Sequence, residues 1–92
     1  MAPRPVRTIR RSLAKKYFIE ENSHHLYLHL YVDGQITRIH TYISHSAQEC
    51  GDHLLGIMAK QLKLSRAELN GLIDCGMSGE AYIESLKEHG YL

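Results

Sequence analysis

Asn22-Ser23-His24-His25 runs directly into Leu26-Tyr27-Leu28-His29-Leu30-Tyr31-Val32. A titratable ring at the mouth of an alternating strand sits on rigid backbone, yet water and substrate can reach it. Histidine titrates near neutrality, so it can take or give a proton without extreme tuning. The functional argument therefore starts at His24. The bland alternative is a strand-end histidine capped by a backbone carbonyl.

The same strand carries a second constellation. His25, Tyr27, His29 and Tyr31 share one face, and Arg38, His40 and Tyr42 of the following run join them. Rings interleaved with cations can stack bases and hold phosphates. A flat aromatic face serves a protein partner or a homodimer equally well. His25, His29 and His40 on one face make zinc conceivable, but no acid is expected to join them there and no HExxH spacing occurs, so no metal is assigned. Cys50 lies near a helix start, which lowers a thiol pKa, but no orienting triad accompanies it. Burial is the expected fate of both Cys50 and Cys75.

The elements that position these groups follow from the apolar pattern. Met1 to Pro5 reads as a disordered lead. Val6, Ile9 and Leu13 recur at helical spacing and predict a helix over about 5–16. Tyr17-Phe18-Ile19-Glu20 is a short strand, and Glu21-Asn22-Ser23 is turn chemistry. Leu26, Leu28, Leu30 and Val32 form the apolar face of the next strand. Asp33-Gly34 is a two-residue primed turn. It pairs Val32 with Gln35, Leu30 with Thr37, Leu28 with Ile39 and Leu26 with Thr41. On the other face it sets His29 against Arg38, Tyr27 against His40 and His25 against Tyr42, with His24 opposite Ile43. After Ser44-His45-Ser46, residues Leu54, Leu55, Met58 and Leu62 mark a helix. Ser65-Arg66-Ala67-Glu68 is a capping box for another. Ser78-Gly79 opens a last helix bearing Tyr82, Ile83 and Leu86, closed by Gly90. Helices segregated onto one face of a three-stranded antiparallel sheet make an α+β sandwich with two short C-terminal helices.

With 92 residues and 43% hydrophobic composition, the chain has room for one small domain. No apolar run approaches the roughly 18 residues that span a bilayer, so no membrane association is expected. No apolar segment follows the N-terminal basic residues, as a secretory signal would require, so the cytoplasm is the expected compartment, with both cysteines reduced. Arg4, Arg7, Arg10, Arg11, Lys15 and Lys16 precede all ten acids of the chain. This basic start, Arg10 and Arg11 included, is compatible with phosphate contact or with a solvated helix face.

The order helix, strand, Ser-His-His into a hairpin, a strand ending in Ile43-Ser44-His45, then a helix resembles the HicA toxin family. These are small mRNA interferases paired with a HicB antitoxin. The resemblance covers about residues 6–64, leaving 65–92 as a helical extension on the same domain. It implies an α-β-β-β-α fold like that of double-stranded-RNA-binding domains. It also implies a metal-independent RNA endonuclease with no cofactor, RNA as substrate and a HicB-like antitoxin as partner. In the family motif Gly-Ser-His the histidine is catalytic. Ser23 and His24 match it, and Asn22 stands in the glycine's place. His45 lines up with a histidine that often follows the third strand, and Gly51-Asp52 stands where the family has Gly-Thr.

By this resemblance His24 transfers the proton, with Ser23 orienting it or donating to phosphate. His25, His45 or Arg38 serves the leaving group or the charge. RNA would then run over His25, Tyr27, His29, Arg38, His40, Tyr42 and His45, with Arg10 and Arg11 on its phosphates. A catalytically inactive HicA-like module that binds RNA or protein is the alternative. The acids Glu68, Asp74, Glu80, Glu84 and Glu88 of the extension suit a cover over the site or a dimer contact.

Overall fold

Ile9 and Leu13 are fully buried on a helix that runs Val6–Ala14 (α1), so helical spacing finds its inward face as expected. The helix starts and ends inside the range read from the sequence. The computed structural model describes residues 3–92, and Met1 and Ala2 lie outside the described residues. The expected disordered lead is corrected within them: Arg4–Pro5 (β1) pairs antiparallel with Glu49–Cys50 (β5). The Val6 N–H extends that seam by donating to the Gln48 carbonyl at 2.9 Å.

The main sheet has three antiparallel strands in the order β2-β3-β4: Phe18–Asn22 (β2), Leu26–Val32 (β3) and Gln35–Ile43 (β4). Strand β2 runs two residues further than read, taking Glu21 and Asn22 out of the turn. Pairing of Glu21 with Tyr27 and of Asn22 with Leu26 supplies the hydrogen bonds that draw them in. Asp33 and Gly34 both take positive φ, 53° and 81°, the backbone a primed two-residue turn requires.

The turn sets Val32 against Gln35 and Tyr31 against Ile36, but the register does not continue to the rim. A bulge intervenes, and beyond it His29 faces His40, Leu28 faces Thr41, Tyr27 faces Tyr42 and Leu26 faces Ile43. The cause is local. Thr37 Oγ1 donates to the Leu30 carbonyl at 2.9 Å and accepts from the Ile39 N–H at 3.1 Å, standing in for the missing ladder partner. The slip is two residues, so every side chain keeps its expected face. His24 no longer faces Ile43; it lies in the loop beyond the paired strands.

Leu26, Leu28, Leu30, Ile39, Thr41 and Ile43 are buried, and all but Leu26 and Thr41 belong to a core cluster that draws on α1 and three further helices. These are Asp52–Gln61 (α2), Arg66–Ile73 (α3) and Gly79–Glu88 (α4). Among the described residues the fold is α+β, with four helices and a three-stranded antiparallel sheet. Leu69, Leu72, Ile73, Tyr82 and Leu86 of the C-terminal helices are all within 2% of full burial in that same cluster.

Buried polar bonds tie the layers together. Ser12 Oγ donates to the Ile73 carbonyl at 2.6 Å and Tyr82 Oη to the Leu62 carbonyl at 2.7 Å. Lys16, read as part of the basic start, is buried and donates to the Met77 carbonyl at 2.7 Å. The predicted capping box forms at Ser65 and Glu68, and Ser78 caps α4 by accepting from the Ala81 N–H. No helix among the described residues is long and apolar enough to cross a membrane.

Candidate functional site

The loop between β2 and β3 is held by its own backbone: the Ser23 N–H donates to the His25 carbonyl at 3.0 Å. His45, just past β4, donates from Nε2 to the Ser23 carbonyl at 2.9 Å. That bond spans 22 residues of sequence and fixes which ring nitrogen of His45 carries the proton. Ser23, His24, His25 and His45 therefore meet at one end of the sheet. His24 is exposed, and among the described residues no hydrogen bond orients its ring.

Below the rim, the outer face of β3 and β4 is a continuous set of rings. His25 stacks on Tyr42 at 5.0 Å between centroids, Tyr27 lies 5.8 Å from Tyr42, and Tyr27 stacks on His29 at 6.0 Å. His29 and His40 approach to 5.6 Å. These spacings fall within the range of offset aromatic pairs. His40 donates from Nδ1 to the Arg38 carbonyl at 3.1 Å, and the Arg38 side chain is exposed beside the bulge.

The expectation that no acid joins this face is corrected. Glu21, drawn into β2, accepts from His29 Nε2 at 3.2 Å. Among the described residues, however, no three His, Cys, Asp or Glu side chains gather where they could hold a metal ion.

Behind the rim lies a cavity of about 160 Å³ between the end of β4 and α2. Its lining includes His25, Thr41, Tyr42, Met58 and Gln61. Thr41, fully buried, donates from Oγ1 to Gln61 Oε1 at 2.6 Å. His25 Nδ1 is buried with no hydrogen-bond partner. Leu54, expected on the apolar stripe of this helix, is instead 47% exposed at the cavity's side, with Ile57 beside it at 40%. Thr41 is the one trace of this cavity in the sequence, a hydroxyl on the inward parity of an otherwise apolar strand. Gln61 carried no signal.

Cys50 also lines the cavity, and burial pushes its thiol pKa up, which disfavours the thiolate a nucleophile needs. Cys75 is exposed, not buried as expected. It follows α3 at φ 65°, where the helix-closing backbone turns the residue outward.

The basic start divides. Arg10 makes two bonds to Glu20, at 2.9 and 2.8 Å, which hold that carboxyl below its usual range. Arg4 pairs with Asp74. Arg10 and Arg11 both lie on α1, in the helical layer, and are not gathered with the rings of the outer face. Asp52, at the start of α2, pairs with Arg66 at 2.6 Å, and this bond lowers its pKa.

No family model, curated protein or solved structure matches the chain.

Proposed function

We propose that this chain is a HicA-like ribonuclease of the double-stranded-RNA-binding-like α-β-β-β-α type, which binds RNA over its ring-bearing sheet face and cuts it at the rim. The observation that carries the reading is the exposed His24, in a hydrogen-bonded loop that His45 ties down at the head of five mutually contacting rings. His24 takes the proton of a ribose 2′-hydroxyl. The oxygen attacks the adjacent phosphorus, the bond to the 5′-oxygen breaks, and the leaving oxygen gains a proton from His25 or His45 as imidazolium. The products are a 2′,3′-cyclic phosphate and a free 5′-hydroxyl. Arg38 supplies positive charge for the crowded phosphorane. In this reading the partner is a HicB-like antitoxin.

Incubation of labelled single-stranded RNA with the chain in the presence of EDTA tests the proposal. Cleavage is expected, with cyclic-phosphate ends, and His24→Ala is expected to abolish it while the melting curve is unchanged. Equal cutting by the variant refutes the assignment of His24.

A second reading has its own support. Because no hydrogen bond among the described residues orients the His24 ring, the chain also fits a catalytically inactive module that binds RNA. Tight RNA binding by a native chain that leaves the RNA intact selects this reading.

A further inference from the structure

We propose that the free edge of β4 pairs antiparallel with the same edge of a second copy of this chain, joining the two sheets into one. The pairing needs no RNA and stands apart from the ribonuclease reading.

The ladder fixes what the edge presents. The Tyr31 N–H donates to the Tyr17 carbonyl at 2.9 Å, so His29 and Tyr27, alternate residues on the same strand, also turn their backbone groups toward β2. Their opposite residues in β4, His40 and Tyr42, therefore point N–H and C=O away from β3. Among the described residues no strand lies on that side and no other backbone group bonds to them. The Arg38 carbonyl accepts from the His40 ring, which leaves its second lone pair free. An unpaired edge of this kind is a template for another strand.

The two edges of the sheet are not alike. Strand β2 has five residues, among them Glu20 and Glu21, and Glu20 is bridged to Arg10 of α1. Charge on an edge deters pairing. Strand β4 has nine residues, of which Arg38 alone carries a fixed charge. The bulge falls on the turn side of His40–Ile43, and that stretch keeps an unbroken register with β3.

The flanks select the occupant. Exposed apolar side chains stand at both ends of the β4 edge: Tyr42, Leu54 and Ile57 at the rim, and Ile36, Tyr91 and Leu92 toward the turn. Antiparallel pairing of the strand with its own copy brings the rim end of each edge to the turn end of the other, twice, about one two-fold axis. That axis stands perpendicular to the sheet, so both ring-bearing faces stay on one side and both helical layers on the other. A lone extended peptide would cover the edge but not Leu54 and Ile57 on α2, nor Tyr91 and Leu92 after α4. A partner with helices behind its strand covers them, and a second copy has such a layer. The six side chains expose on the order of 500 Å² per copy, and the edge backbone adds to this, against about 800 Å² per partner in a standard interface.

Light scattering and sedimentation of the full chain without RNA test the proposal. A dimer is expected at about 100 μM and should persist at high salt, since its contacts are backbone bonds and apolar burial. Tyr42→Pro removes an outward N–H that β3 does not use, and should raise the dissociation constant about tenfold or more. Leu54→Lys, at an exposed helix position, should do the same and guards against misfolding of the first variant. Ile19→Lys, on the β2 edge, should leave the dimer intact. A chain that stays monomeric at that concentration overturns the proposal. So does a dimer that survives both β4-side substitutions, one that Ile19→Lys disrupts, or one that high salt dissolves.

Discussion

Tyr82→Phe removes one oxygen from the centre of the molecule. The ring of Tyr82 is fully buried, stacks on Phe18 at 6.1 Å, and its hydroxyl donates to the Leu62 carbonyl at 2.7 Å. Burial also drives its phenol pKa far upward. Phenylalanine keeps the ring, so there is no cavity term. What is lost is a neutral hydrogen bond, and the Leu62 carbonyl is left buried at the C-terminal cap of α2. A net bond of about 1 kcal/mol plus part of a desolvation cost gives a loss of about 1–2 kcal/mol. For a domain of this size that is a drop of roughly 5–15 °C in Tm. Thermal and urea melts followed by circular dichroism measure it, with the urea m value unchanged. Tyr91→Phe, at an exposed ring, is the control and should not move the midpoint. Because Tyr82 joins α4 to α2 and β2, loss should appear in one transition. A melt that stays within a few tenths of a kcal/mol refutes the assigned bond, and two separate transitions refute a shared core.

Gly79→Ala should also destabilise, by about 1–2 kcal/mol. An added Cβ would lie 2.7 Å from Tyr17 Cε2 and 3.1 Å from Lys16 Cα, and the second neighbour is backbone that cannot swing away; an unchanged urea midpoint contradicts this. Of the two thiols, only Cys75 should react quickly with a thiol reagent in the native chain, and Cys75→Ser should remove that fast phase. Equal rates for both would show Cys50 to be accessible. Acid should weaken the fold. Glu20, Asp52, Glu68 and Glu80 are all held below the usual carboxylate range by hydrogen bonds, from Arg10, Arg66, Ser65 and Tyr17 respectively. The unfolded chain therefore binds more protons, so their stabilisation is complete above the unfolded pKa values and is lost as pH falls through the folded ones, below about pH 4. A Tm that stays flat from neutrality down to pH 2 would contradict those bonds.

The strands of the main sheet, the hairpin turn and the starts of the last two helices were legible because each has a local cause. Alternation follows from the pleat, Asp33-Gly34 from backbone geometry, and Ser65 and Ser78 from side-chain capping. Helix ends were less legible. Lys63, Cys75 and Gly90 all take the left-handed conformation that closes α2, α3 and α4, with Leu64, Gly76 and Tyr91 N–H groups bonding back to Ala59, Gly71 and Leu86. Only Gly90 advertises this in its residue type, since lysine and cysteine rarely adopt that backbone. The short β1–β5 pair had no signal because two residues have no period. The rim was half visible. His24 and His25 were marked by their place before a strand, whereas the bond from His45 to Ser23 is a tertiary contact. Glu21 was misplaced because propensity puts Glu-Asn-Ser in a turn, and pairing with β3 overrode it.

The irregularity at Thr37 has a consequence for how this hairpin can change length. The ladder already absorbs one pair of surplus residues near its tip without exchanging its two sides. A lineage could gain or lose residues there two at a time and keep both its oily underside and its ring-bearing exterior. One residue at a time would turn the strand inside out. Variation in that segment should therefore be counted in even steps.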